Sequence, residues 1–285
     1  MKKFKIGGVP EHFNLPWRKT IEEGRLDQLD VTLHWSDMTG GTGQMIKGLQ
    51  VGSIDIAVLL TEGITKSILE GLDSKIVATY VKSPLKWGIH VPVDAEDIEI
   101  PEDIRGEKFA ISREGSGSHL MAFVNALNRG WSLQELEFEV VGDIYGGLWA
   151  LESHTAGVFL WEKFTTKPFV DTGKCKRIGI VETPWPCFVV AVRNEVLLGN
   201  EEIINKILSI VFGVAREIKD DPNSANEISW RYNIEPDDAG QWLSETDWNY
   251  EGGIREEDFT KAVEFTKTIS GSGVSTDGWK NKLFS

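Results

Sequence analysis

The sequence predicts an α/β protein organised in two parts, and three observations carry that reading. Apolar, strand-like runs alternate with stretches of helical period over roughly the first two thirds of the chain. Two long extended segments, 75–91 and 183–193, interrupt the alternation. From Asn200 onward the pattern is helical. Strand–helix–strand order implies parallel pairing through right-handed crossovers, because consecutive strands of that kind cannot be joined by a tight turn.

The elements follow in order. "FKIGGV" (4–9) reads as a strand, and "LPWRKTIEEGRL" (15–26) as a helix with Pro16 in its first turn, where a missing N–H costs nothing. "DVTLHWS" (30–36) alternates like a half-buried strand, "GTGQMIKGLQVG" (41–52) is a short helix with a glycine stop, and "DIAVLL" (55–60) is a buried strand. The stretch 75–91 is extended, and 92–107, rich in Pro, Asp and Glu, reads as a surface loop. A second unit repeats the alternation: "KFAIS", a glycine–serine loop and its helix, the strand "LEFEVVGD" (136–143), the helix "GGLWALESHT", and the strand "AGVFLW" (156–161). "TPWPCFVVAVR" (183–193) is extended again. Beyond it, "NEEIINKILSIVFGVAREI" carries an Asn cap, two acids in its first turn and aliphatic residues at three- and four-residue spacing. Further helices are expected at 223–232, 236–246 and 255–269, with the tail from Ser270 as a loop. The block 43–62 is echoed by 146–162: glycine, short helix, small-residue turn, apolar strand and a closing glutamate.

Composition removes several classes of function. With 285 residues, 41% of them hydrophobic, the chain can bury a sizeable core. A net charge of −14, from 44 acids against 30 Lys and Arg, argues against nucleic acid or anionic membrane as the main partner. The longest apolar runs are far short of a bilayer span, so no membrane insertion is expected. Cys175 and Cys187 are too few for a disulfide framework or a zinc site, and neither metal nor cofactor is expected. "MKKFKIGGVP" opens like a signal peptide, but glycine and proline intervene before any apolar stretch. The expectation is therefore a cytoplasmic protein, or a periplasmic one whose native signal has been removed.

Four stretches, in this order and at this spacing, resemble the type II periplasmic-binding-protein superfamily. They are "KIGGVPEHFNLPW" (5–17), "GGTGQMIKGLQVGSIDIAVLLTEG" (40–63), "ISREGSGSHLMAF" (111–123) and "GVFLWEKFTT" (157–166). Within the superfamily they are similar to the solute-binding branch for aliphatic sulfonates and thiamine pyrimidine precursors. Around "VPEHFN" the chain also looks like cytosolic fungal and bacterial proteins of this fold that lack a signal peptide. The resemblance implies two α/β lobes joined by two crossing strands, with a ligand in the cleft between them. Lobe one would be 1–88 and 190–285, with the C-terminal helices packed on it, and lobe two 89–189. The hinge would lie near 84–91 and 183–190, and Trp185 would sit on a crossing strand.

The candidate ligand residues cluster at strand ends. In "SREGSGSH", the amides near Gly115 and Gly117 and the hydroxyls of Ser112, Ser116 and Ser118 suit an oxyanion or carbonyl, with Arg113 adding charge and His119 beside them. The plain alternative is a helix start capped by Ser116 or Ser118. Leu120 argues against a dinucleotide loop, because it stands where a third glycine is needed. "GGTG" offers Gly41, Thr42 and Gly43, and lacks the Lys-Ser/Thr pair of a phosphate loop. His12, Phe13 and Trp17 follow the first strand, and Thr61 and Glu62 the third, where open α/β sheets place ligands. Among the 11 tryptophans, Trp17, Trp87, Trp149, Trp161 and Trp185 fall near strand ends or crossings and suit a planar or apolar ligand part.

The function expected is a small-molecule binding protein that closes on a ligand with an anionic or polar head, such as a sulfonate or a pyrimidine, and hands it to an ABC permease if exported. The alternative is a cytosolic enzyme on the same fold, of the thiamine-pyrimidine or menaquinone-precursor type. It would draw on His12, His119 or Glu62 as acid or base, although the pyrimidine-forming proteins carry a cysteine-rich motif that the isolated Cys175 and Cys187 do not supply. A third reading is an interaction module that takes a peptide.

Overall fold

The computed structural model describes residues 1–270 and 273–284. The chain divides into two compact units, Met1–Ser83 with Pro184–Ser285, and Pro84–Thr183.

The first unit is built on β1 (Lys2–Gly8), α1 (Leu15–Glu22), β2 (Val31–Asp37), α2 (Gly41–Val51), β3 (Ile56–Leu60), α3 (Thr61–Leu69) and β4 (Ser74–Val81). The second contains β5 (Lys86–Val91), β6 (Lys108–Ile111), α4 (Gly117–Asn128), β7 (Glu137–Val140), α5 (Ile144–Glu152), β8 (Val158–Glu162), α6 (Lys167–Asp171) and β9 (Lys176–Glu182). The chain then returns to the first unit with β10 (Phe188–Arg193), α7 (Asn194–Leu197), α8 (Glu201–Asp220), α9 (Ser224–Tyr232), α10 (Pro236–Glu245), α11 (Thr260–Ser270) and α12 (Trp279–Leu283).

The sheets have the orders β2-β1-β3-β10-β4 and β7-β6-β8-β5-β9. Both follow one plan. In each, a strand that has just arrived from the other unit enters at the carboxyl edge and runs antiparallel to its neighbours. Phe188, the first residue of β10, pairs with Leu60 at the end of β3, and Trp87 of β5 pairs with Glu162 at the end of β8. The central strands β3 and β10 are buried almost throughout, which explains why "IAVLL" and "FVVAV" read as continuous apolar runs rather than alternating ones. Leu59, Ile64, Met45 and Val189 belong to one core cluster of the first unit. Cutting Leu59 or Ile64 to alanine would cost about 2–5 kcal/mol. The C-terminal helices pack within this unit: α8 on α1, and α11 and α12 on α3.

Several boundaries differ from those expected. The units divide at Ser83–Pro84 and Thr183–Pro184 rather than near 88 and 189, because Trp87 already pairs in the second sheet and Phe188 in the first. Helix α1 stops at Glu22, not Leu26: Gly24 adopts φ +64° and the Arg25 N–H turns back to the Thr20 carbonyl. Asn200 stands at the N-cap position of α8, but its side chain accepts from Lys2 Nζ at 2.6 Å and donates to the Val196 carbonyl instead of capping the helix. Strand β9, "KRIGIVE", was not anticipated. Of the tail expected as a loop, residues 271, 272 and 285 lie outside the described ones, and Trp279–Leu283 is helical. Cys175 and Cys187 are both buried thiols. No helix among the described residues is long and apolar enough to cross a membrane.

Candidate functional site

In the first unit the candidates gather at the carboxyl edge of the sheet, after β1, β2 and β3. Their side chains are largely engaged. The Thr42 hydroxyl accepts from the Leu60 N–H at 3.3 Å, and its methyl group fills the space in front of Gly63. Thr61 donates its hydroxyl to the Pro186 carbonyl, and its N–H goes to the Cys187 carbonyl at 3.1 Å. Gly41 takes φ +63°, and the Gly40 N–H donates to Gln44 Oε1 at 2.8 Å. The first-turn N–H groups of Thr42 and Gly43 precede any acceptor inside α2.

Glu62, in the first turn of α3, is 1% exposed. Its Oε2 accepts from Trp185 Nε1 at 2.8 Å, and Oε1 is buried without a hydrogen-bond partner. Burial pushes this carboxyl up to about 7, outweighing the indole bond that favours the charged form.

The three residues after β1 turn inward. His12 stacks on Phe13 (4.9 Å) and meets the Trp242 ring edge-on (4.3 Å); burial pushes its pKa down to about 3, so it is neutral near pH 7. The Phe13 carbonyl accepts from the Tyr80 hydroxyl (2.8 Å) and from Trp248 Nε1 (3.2 Å). Trp17 has no accessible surface and lies beside Tyr80 in the interior, so the expected ligand-facing ring is a packing residue. The cause is its place in the first turn of α1, on the buried face with Leu15 and Thr20.

In the second unit the loop between β6 and α4 folds on itself. Ser116 caps α4, accepting from the His119 N–H at 3.3 Å. The Ser118 hydroxyl accepts from the Ser112 N–H at 3.0 Å and lies 3.1 Å from Ser116 Oγ. Gly115, at φ +71°, donates its N–H to His119 Nδ1 at 2.8 Å. The reading of Ser116 and Ser118 as free donors is thus narrowed: both oxygens accept backbone N–H groups and one hydroxyl donates to the other, which leaves a single hydroxyl hydrogen. Two further features remain open. The N–H groups of Gly117 and Ser118 have no acceptor within the helix. The half-buried Arg113 guanidinium has neither ion pair nor hydrogen bond among the described residues, and burial alone depresses its pKa.

The "GGTG" loop is not the structural counterpart of "GSGS". It follows β2, whereas "GSGS" follows β6, which holds the place of β1 in its sheet. The counterpart of "GGTG" is the turn before α5, where Asp143 accepts from the Tyr145 and Gly146 N–H groups. Trp161 on β8 is half-buried against Phe159 (5.3 Å). Glu162 accepts from the Phe164 and Thr165 N–H groups and the Thr165 hydroxyl, yet burial still raises its pKa.

Sequence reasoning passed over Lys163 and Tyr145 at this edge, and Trp149, expected near a strand end, lies within α5. The ammonium of the buried Lys163 sits 4.3 Å from the Phe164 ring centre. Tyr145 (70% exposed) and Trp149 (61% exposed) are one turn apart on α5. A signal existed for this pair in the four-residue spacing of two large aromatics. No group of three or more His, Cys, Asp or Glu among the described residues is placed to hold a metal.

Comparisons with known proteins agree with this architecture. Residues 87–181 match the family described as Ca3427-like PBP. The Candida albicans CA3427 gene product, reported to define a family with the generic periplasmic-binding-protein fold, is 24% identical; the likeness covers 100% of this chain and 96% of that one, with a TM-score of 0.91. The alkanesulfonate-binding protein SsuA from Xanthomonas axonopodis pv. citri, bound to MOPS, is 13% identical over 96% of this chain and 93% of its own, with a TM-score of 0.80. The aliphatic sulphonate-binding SsuA from Escherichia coli is 14% identical over 99% and 98%, with a TM-score of 0.75. None of the curated proteins matches significantly. The chain therefore has the periplasmic-binding-protein fold, as its resemblance to that superfamily and its sulfonate branch implied.

Proposed function

We propose that this protein binds a small solute whose anionic head is held by the β6–α4 loop of the second unit. The observation that carries the reading is Arg113. A half-buried guanidinium without a counter-charge is costly, and such a cost persists where a ligand supplies the missing anion. It lies three residues before the Ser116 cap of a 12-residue helix whose first amides carry partial positive charge. The fold adds support, since solute binding is what the two SsuA proteins named above are known for.

The rest of the ligand meets aromatic surface in this reading, with Tyr145, Trp149 and Trp161 of the same unit as the candidates. Binding needs no covalent step: the ligand lowers the free energy of whichever state holds it better. If the native chain is exported, an ABC permease is the proposed recipient.

A thermal-shift panel of alkanesulfonates, phosphate esters, carboxylates and neutral pyrimidines tests the proposal. An anion at about a hundred times its Kd should add about 2.7 kcal/mol of stability, a shift of several degrees. Stabilisation by the sulfonates or phosphates and not by the neutral compounds is expected. Stabilisation by neutral compounds alone would overturn the anionic head.

A further inference from the structure

The turn that carries Arg113 is tied to the helix that follows it. The Ser116 N–H donates to the Arg113 carbonyl at 3.2 Å, closing a four-residue turn whose third residue is Gly115. Gly115 sits at φ +71°, and a side chain there would meet nothing within 4 Å, so the backbone angle and not the space calls for glycine. Two anchors flank Arg113. Before it, the Ser112 N–H donates to Ser118 Oγ at 3.0 Å; after it, the Gly115 N–H donates to His119 Nδ1 at 2.8 Å. Both acceptors stand in the first turn of α4.

The two anchors differ in their exposure. Ser112 is buried, whereas Glu114 and Gly115 at the tip of the turn are exposed. Water takes the Gly115 N–H as soon as His119 lets it go, so this bond decides how well the tip is ordered before a ligand arrives.

The same bond fixes the state of His119. A backbone amide can only donate, so Nδ1 accepts, the imidazole is neutral and its proton is on Nε2. Two phenylalanines aim the ring: Phe123, one turn further along α4, at 4.8 Å, and Phe138 of β7, edge-on at 4.5 Å. Their packing limits rotation of the imidazole and keeps Nδ1 toward the amide.

We infer that His119 is the positioning residue of the anion loop: its Nδ1 holds the Gly115 amide and so presets the turn from which Arg113 meets the ligand. A turn already ordered spares binding the entropy of ordering it. This role rests on the reading of the β6–α4 loop as the anion site, and it asks no contact between His119 and the ligand.

The test measures methanesulfonate affinity, melting and solvent exchange of the Gly115 amide proton at pH 7.5, in the full chain and in two variants. His119→Asn keeps an acceptor, with Oδ1 in the place of Nδ1, and gives up the ring. His119→Phe keeps a ring between Phe123 and Phe138 and gives up the acceptor. A preset turn predicts a crossed result. The Phe variant should melt close to the native protein yet bind about tenfold more weakly and exchange the Gly115 amide faster. The Asn variant should melt lower yet bind within about twofold of the native protein. The ring ¹⁵N signals of native His119 should report the proton on Nε2. Affinities that simply follow the melting temperatures, equal Gly115 exchange in the native protein and the Phe variant, or a proton on Nδ1 would overturn the inference. If the Asn variant does not fold, the Phe variant and the exchange rates decide. Native protein that binds no anion overturns the reading of Arg113 instead, and the exchange rates then judge His119 by themselves.

Discussion

The Trp185 indole donates to Glu62 at 2.8 Å, fastening the chain two residues past its second passage between units to the first turn of α3. The acceptor is a carboxyl that titrates near 7 when folded, against an ordinary value of 4.5. Between those limits the folded protein keeps a proton that the unfolded chain has released. Stability therefore falls as pH rises from about 4.5 to about 7 and is level above that, at a total cost on the order of 3 kcal/mol. Glu62→Gln keeps an acceptor for the indole and removes the titration. Urea unfolding of both proteins at pH 5 and pH 8 isolates this contribution: the stability of the native protein relative to the variant should fall by about 3 kcal/mol over that range, and an unchanged difference would refute the assignment.

His12 works in the opposite direction. Its folded pKa of about 3 lies below the ordinary 6.5, so the unfolded chain takes up a proton first as pH falls. The stability present above pH 6.5 is lost on the way down, by about 2 kcal/mol at pH 5. His90, pushed down to about 4 by burial, adds a loss of the same sign. His12→Phe should make the acid side of the stability profile shallower. A profile as steep as that of the native protein would show that His12 is not buried neutral.

Much of this architecture was legible in the chain. The runs "IAVLL" and "FVVAV" announced buried strands, and the 43–62 and 146–162 blocks fall on α2–β3 and α5–β8, which hold matching places in the two sheets. Strand β9 escaped because it is mostly half-buried and starts and ends on charged residues, so neither alternation nor a continuous apolar run marks it. That β10 would insert antiparallel between β3 and β4 was not readable either, since pairing partners depend on contacts distant in sequence. The site was legible by position and not by role. Glycine and serine at a helix start signalled α4, but whether the hydroxyls serve a ligand or the cap is decided by geometry. The signal in Arg113 is the lack of a partner, which no local pattern records.

Thr42 and Gly63 test the contact between α2 and α3. A β-carbon at Gly63 would lie 2.5 Å from Thr42 Cγ2. Gly63→Ala should therefore cost about 1–3 kcal/mol in thermal unfolding. Thr42→Ser removes the offending methyl group and should recover part of that loss in the double variant. Full additivity of the two changes would mean that they do not touch.

The cap of α4 gives a separate prediction. Ser116→Ala removes the acceptor for the His119 N–H and a neighbour of the Ser118 hydroxyl. A loss of about 1 kcal/mol is expected from chemical denaturation. No loss would mean that Ser116 is available to a ligand after all.

Calorimetric titration of the native protein and of Arg113→Met with a short alkanesulfonate bears most directly on the function proposed. Native protein should bind, and the variant should bind about ten- to a hundredfold more weakly, the worth of a lost charge-assisted contact, while melting at the same temperature or higher. Equal affinity in the two proteins, or no binding of any anion by the native one, would contradict it.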